Sequence, residues 1–169
     1  PGRRIVDGCQ RQAAASLGQA DLAYRCLVPL LNRYWLHNLA SMHNAKELFN
    51  TDISGGLPAV LIKMLVASDP GVIRLFPALP SAWPSGTIEG VLCRGQVEIK
   101  RLTWDGPTVR LSVRSAKAQD VRLYAPAEIE AISVKKGQAA IRTLNDAKGR
   151  RLSLPAGQDV EVELQLSRR

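Results

Sequence analysis

The hydrophobic positions of this chain change period near Asp69. Before that point they recur at helical intervals. Ala20, Ala23, Tyr24, Leu27 and Leu31 form one stripe, and Leu57, Val60, Leu61, Met64 and Leu65 form another. Spacings of the i, i+3, i+4, i+7 type put side chains on one face of a helix, so two amphipathic helices are predicted. Gly18-Gln19 separates the first from an earlier helical piece over Ala13 to Leu17, giving a helical hairpin with a short turn. Pro29 falls inside the first stripe. An interior proline removes a hydrogen bond at a cost of about 3 kcal/mol, which predicts a kink near Val28 or an end before Tyr34. Pro58 is placed in the first turn of the second helix, behind Ser54 as cap, where its missing donor has no partner to lose.

After Asp69 the period falls to two. Val97, Ile99 and Leu102 mark one run, and Val109, Leu111 and Val113 alternate with Arg110, Ser112 and Arg114 in another. Trp104-Asp105-Gly106-Pro107 joins them, and Asp-Gly between alternating runs is a strong hairpin signal. Further strands are expected at Val121 to Tyr124, Ile132 to Val134, Ile141 to Leu144, Leu152 to Leu154 and Val160 to Leu166. Five or more antiparallel strands need a second layer over their apolar faces, which predicts a β-sandwich. The expected organisation is helices over residues 1–68, a connector over 69–86 and the sandwich over 87–169.

Composition narrows the classes. The chain has 169 residues, 46% hydrophobic and 22% charged, and holds no run near the roughly 20 apolar residues of a membrane span. Its net charge of +8 comes from basic residues spread along the chain, with short pairs such as Lys135-Lys136 and Arg150-Arg151. No basic helix face or aromatic-interleaved strand pair stands out, so neither nucleic acid nor membrane is an expected partner. Cys9, Cys26 and Cys93 are odd in number and far apart, which implies neither a zinc site nor a disulfide framework. The N-terminal PGRRIVDG has no initiator Met and no signal-peptide run, so the chain is expected to begin within a longer polypeptide.

Chemistry-bearing residues concentrate between Tyr34 and Asp52. Both histidines, His37 and His43, lie there with Trp35, Asn38, Asn44, Glu47 and Asn50. Aromatic faces stack on sugar rings while amides, carboxylates and imidazoles take hydroxyls, so this composition suits a sugar site as well as a solvated loop. The histidines are six apart without a helical register, so no metal site and no cofactor is implied. Asp52 opens the second helix, where the positive end of the dipole favours a carboxylate.

The segment from Phe49 to Gly95 resembles the end of the barrel of glycoside hydrolase family 95, the α-L-fucosidase-like enzymes. The pieces that carry the likeness are Asp52 ahead of Gly55-Gly56, Ile73-Arg74-Leu75, the run Pro77-Ala78-Leu79-Pro80 through Trp83-Pro84 to Gly86, and Gly90 through Arg94-Gly95. At the level of pattern it covers most of residues 10 to 115. The resemblance implies that residues 1–68 are terminal helices of an (α/α)6 catalytic barrel. It also implies a carbohydrate substrate, most naturally an α-L-fucoside or related L-sugar, and a secreted or periplasmic bacterial setting. Asp52 matches the family's water-activating acid and His43, nine residues earlier, its sugar-contacting histidine. Hydrolysis in the family is inverting, with the carboxyl pair roughly 6.5–9.5 Å apart. The acid Glu and the partner asparagines are expected upstream of Pro1, leaving the isolated chain inactive. Thr51-Asp52-Ile53-Ser54-Gly55-Gly56 departs from the family's usual Ile-Asp-Gly-Asn-Phe-Gly, so the likeness carries hydrolysis further than it carries fucose specificity.

Trp83, between Pro80 and Pro84, fits either sugar stacking or a buried pin between helices and sandwich, and the rigid connector favours the pin. A rival reading, a carbohydrate-binding module without catalysis, needs an aromatic platform on the sandwich, for which Trp104 and Tyr124 are the candidates.

Overall fold

The computed structural model describes residues 18–38, 40–43, 48–49 and 51–167, giving the backbone alone at His43, Leu48 and residues 51–53. The early piece expected over Ala13 to Leu17 lies outside the described residues. The chain divides into two compact units, one holding the helices together with Pro77–Ala82, the other holding Val66–Phe76 and the chain from Trp83 on.

In the first unit, α1 spans Ala20–Tyr34 and α2 spans Thr51–Leu65. Asp21 in the first turn and Arg33 in the last both suit the dipole of α1. Its buried face is Ala23, Leu27 and Leu30, so the stripe turns toward Leu30 and leaves Leu31 exposed. Pro29 is exposed and the helix runs on through Tyr34, which corrects the expected early end. In α2 the start is also earlier than expected. Thr51 begins it, Ser54 lies inside it rather than capping it, and Pro58 is interior. Leu57, Met64 and Leu65 form its buried side. The two helices among the described residues cannot make six helical hairpins, and the (α/α)6 barrel is not in this chain.

A strap completes this unit. The Ala78 N–H donates to the Met64 carbonyl at the end of α2, at 3.0 Å. Both the N–H and the hydroxyl of Ser81 donate to the Asp21 carboxylate, at 2.9 and 3.0 Å. One short segment thereby satisfies an otherwise orphaned carbonyl at the end of α2 and ties itself to the first turn of α1. The Pro-Ala-Leu-Pro run is therefore structural in effect, and its prolines stiffen the segment that holds these bonds.

The second unit is a β-sandwich of two five-stranded sheets. Strands β3 (Val66–Asp69), β4 (Val72–Leu75), β8 (Gln119–Tyr124), β10 (Ala140–Thr143) and β11 (Gly149–Leu154) form the first, in the order β10-β11-β8-β4-β3. Strands β5 (Ser85–Cys93), β6 (Val97–Asp105), β7 (Thr108–Ser115), β9 (Ile129–Lys136) and β12 (Asp159–Leu166) form the second, in the order β5-β6-β7-β12-β9. Pairing is antiparallel except between β4 and β8, which run parallel. Residues 69–86, expected to connect the two parts, thus contain a strand of the sandwich and the strap of the helical unit.

The core is built by alternation. Val109, Leu111 and Val113 of β7 and Val160, Val162 and Leu164 of β12 are all 2% exposed or less, as their period of two requires. In β6 the inward positions are Val97 and Ile99, then Leu102 and Trp104. A bulge between Ile99 and Arg101 inserts Lys100 and moves the inward phase by one. The three-residue gap between Ile99 and Leu102 in the sequence is the trace of that bulge. The expected hairpin is present, with Asp105 opposite Thr108 and Gly106-Pro107 as its loop.

Trp104 anchors the centre. It is 6% exposed, its indole N–H donates to the Trp83 carbonyl at 3.0 Å, and Phe76 meets it edge-on with ring centroids 5.2 Å apart. Trp83, read as a buried pin, is half-buried; the aromatic sealed in the interior is Trp104. Burial of Trp104 also removes it as a carbohydrate platform.

Candidate functional site

Among its described residues, the stretch from Tyr34 to Asp52 is folded rather than a bare loop. Trp35 bridges Ser41, the Leu36 N–H donates to the Ala40 carbonyl at 2.9 Å, and the Asn38 side-chain oxygen accepts from the Ala40 N–H at 3.1 Å. A two-stranded ribbon follows, β1 (Met42–His43) against β2 (Leu48–Phe49), with Met42 opposite Phe49 and His43 opposite Leu48. The chain then enters α2, of which Asp52 is the second residue.

Ser41 ties these parts together. It is fully buried, and its hydroxyl lies 2.7 Å from that of Ser54 in α2. The ribbon base and the first turn of the helix are therefore held to each other, which fixes the backbone that carries Asp52. His43 stands one strand position beyond Met42, on the ribbon. The side chains of Asp52 and His43 lie outside the described residues. His37 is exposed in the turn before the ribbon, and Trp35 is half-buried. Among the described residues no group of three or more His, Cys, Asp or Glu is placed to hold a metal ion.

Elsewhere in the helical unit, Asp21 is the group with a resolved electrostatic bias. The Ser81 N–H, then the Ser81 hydroxyl and Arg25, hold its carboxyl below the usual range. This bias serves the strap, not catalysis.

In the sandwich, a groove of about 520 Å³ lies over the outer face of β5, β6, β7 and β12, with Glu89, Lys100, Arg101, Arg110 and Glu161 among its walls. Most of its charges are already paired. Arg101 bonds Glu89 at 2.6 Å, while Arg110 at 2.8 Å and Lys135 at 3.1 Å share Glu163. Those two cations hold the Glu163 carboxyl below its ordinary range. Solvent-exposed pairs of this kind each contribute little to stability, about 0–1 kcal/mol.

These observations describe a small helical unit carrying an acid at a helix start and a two-sheet sandwich with an aromatic interior. The C-terminal domain of glycoside hydrolase family 95 matches residues 67–163, more than half of the chain. The chain belongs to glycoside hydrolase family 95. It is 30% identical over 118 residues to Alpha-L-fucosidase 2 of Arabidopsis thaliana, an alignment that takes in 64% of this chain and 14% of that protein. It thus spans a small fraction of that relative's length. Among solved structures, a GH127 beta-L-arabinofuranosidase from Geobacillus stearothermophilus T6 aligns with a TM-score of 0.41 at 17% identity, over 68% of this chain and 19% of that one.

Proposed function

We propose that this chain is the C-terminal portion of an inverting glycoside hydrolase acting on an α-L-fucoside or a related L-sugar glycoside, with Asp52 activating the attacking water and His43 contacting the sugar. Membership of the family supports hydrolysis of a glycosidic bond. The observation that carries the residue assignment is the position of Asp52 in the first turn of α2, on a backbone pinned through Ser54 to Ser41. The positive end of a helix dipole favours a negative charge at a helix start, which is what a general base requires. The helices of the first unit act as the edge of a larger catalytic body.

Asp52→Asn in the complete enzyme tests this reading. The amide keeps the shape and loses the charge that draws the proton from water. With an aryl α-L-fucoside, kcat is expected to fall about 10²- to 10⁴-fold while KM and melting temperature hold. Near-wild-type kcat would remove Asp52 from the mechanism, and equal losses of activity and stability would make it a helix-start residue alone. The 169-residue chain by itself is expected to give no turnover, since it supplies a single qualifying carboxylate.

A further inference from the structure

The outer faces of the two sheets treat charge in opposite ways. On the second sheet, residues directly across from one another carry opposite signs: Glu89 faces Arg101, Arg110 faces Glu163, Arg114 faces Asp159 and Glu161 faces Lys136. On the first sheet, Arg142 faces Arg151, and Arg151 faces Arg122, so three arginines stand in one row on adjacent strands β10, β11 and β8. Like charges directly opposite destabilise a strand pair, and a neutral or acidic residue at any of these positions would relieve it.

Nearby carboxylates do not cancel the row. Asp120 reaches Arg151 only at 3.9 Å and is itself taken by the Ser153 hydroxyl at 2.6 Å. Arg122 and Arg142 are exposed and make no ion pair among the described residues. Two positions along β8 from Arg122, on the same face, is Tyr124, half-buried and lying over Gly149 on β11. The row and the tyrosine form a flat, cationic surface with one aromatic ring.

We propose that this face binds a glycan chain bearing carboxylates, a polyuronate. Guanidinium groups match carboxylates in a bidentate fork, and a row of three with one nearby acid between them has a polyanion as its natural complement. Strands are spaced by about 4.8 Å. One sugar unit of an extended polysaccharide advances by about the same distance, so a chain laid across the strands carries its carboxylates past the arginines, with Tyr124 flanking the row two residues along β8. The choice of a glycan among polyanions rests on the family membership. The proposed reaction enters only there, since the site involves neither Asp52 nor turnover.

The test is binding of the whole protein to polygalacturonate, followed by affinity electrophoresis at rising sodium chloride, with neutral dextran, dextran sulfate, a single-stranded oligonucleotide and anionic phospholipid vesicles as parallel probes. Retention by polygalacturonate that weakens with salt is expected, and the double variant Arg122→Gln, Arg142→Gln should lower the affinity at least tenfold. Arg142→Glu, which turns repulsion of Arg151 into attraction, should show the same direction of loss with an unimpaired fold. Arg101→Gln with Arg110→Gln on the other sheet should leave binding unchanged. No retention by polygalacturonate, an unaffected double variant, an equal loss from the Arg101 and Arg110 changes, or tighter binding to any of the other probes would overturn the proposal. Loss of hydrolysis in Asp52→Asn with polyuronate binding intact would separate this site from the catalytic reading.

Discussion

The indole of Trp104 occupies the space that a side chain on Gly86 would need. The two residues face each other across β5 and β6, and a Cβ at Gly86 would stand 2.4 Å from the indole Cζ2. The same relation recurs on the other sheet, where a Cβ at Gly149 would stand 2.8 Å from the Tyr124 Cε1. Each large ring lies over a cross-strand glycine, which lets it pack flat against the backbone. Gly86→Ala should therefore destabilise the sandwich by about 1–3 kcal/mol, as overpacking does. Combining it with Trp104→Phe should give less than the sum of the two single losses, and an additive result in denaturant unfolding would show that the ring does not set the requirement.

The strap should be pH-sensitive. Hydrogen bonds from the Ser81 N–H and hydroxyl depress the Asp21 pKa, so its contribution is complete above the unfolded carboxyl range, about 3.9, and is lost as pH falls through the lower folded value. Melting temperature followed from pH 7 down to pH 2 should fall less steeply in Asp21→Asn than in the natural protein. Parallel curves for the two would rule the strap out as the source of the acid sensitivity.

A buried polar knot closes one end of the sandwich and should be costly to cut. Ser115 is fully buried, and its hydroxyl donates to the Lys117 carbonyl at 2.6 Å and accepts from the Gln119 amide at 2.7 Å. The same amide nitrogen donates to the Gly95 carbonyl at 2.8 Å. Removing the hydroxyl in Ser115→Ala strands the Lys117 carbonyl and half of the Gln119 amide, for an expected loss of about 1–3 kcal/mol by urea unfolding. A change near zero would mean that water replaces the hydroxyl freely.

Cys93 should be chemically quiet. Burial pushes its thiol up, outweighing the Ser68 hydrogen bond. Peptide-level mass spectrometry after maleimide treatment at pH 7.5 should find Cys93 labelled only under denaturing conditions, with half-buried Cys26 modified sooner. Because the folded pKa is the higher one, stability should also decline as pH rises past the unfolded thiol range, about 8.5.

Much of the sandwich was legible because alternation and one Asp-Gly turn are local signals. The strands β6, β7, β8, β9, β11 and β12 fall where their apolar residues predict them. Strand β5 was not legible. Its less exposed positions change phase around Gly90, from the half-buried, even-numbered Gly86 and Ile88 to the buried, odd-numbered Val91 and Cys93, so no simple period marks it. The start of α2 was misplaced by a few residues because Ser54 looks like a cap, while its hydroxyl is in fact turned to Ser41. In the candidate site, the acid at a helix start could be read from the sequence. The ribbon before it could not, since two-residue strands have no period. The arginine row was hidden for a different reason: Arg122, Arg142 and Arg151 are scattered in sequence, and only strand register makes them neighbours.

The strap has an evolutionary consequence. Passing from the helical unit to the sandwich at 65/66, back at 76/77 and out again at 82/83, the chain interleaves the two. A recombination event at 65/66 or 76/77 would carry Pro77–Ala82 away from the helices with the sandwich, and one at 82/83 would leave the sandwich without Val66–Phe76. The sandwich is thus poorly suited to travel between genes as a free cassette, and the two units are bound to be inherited, and to diverge, together.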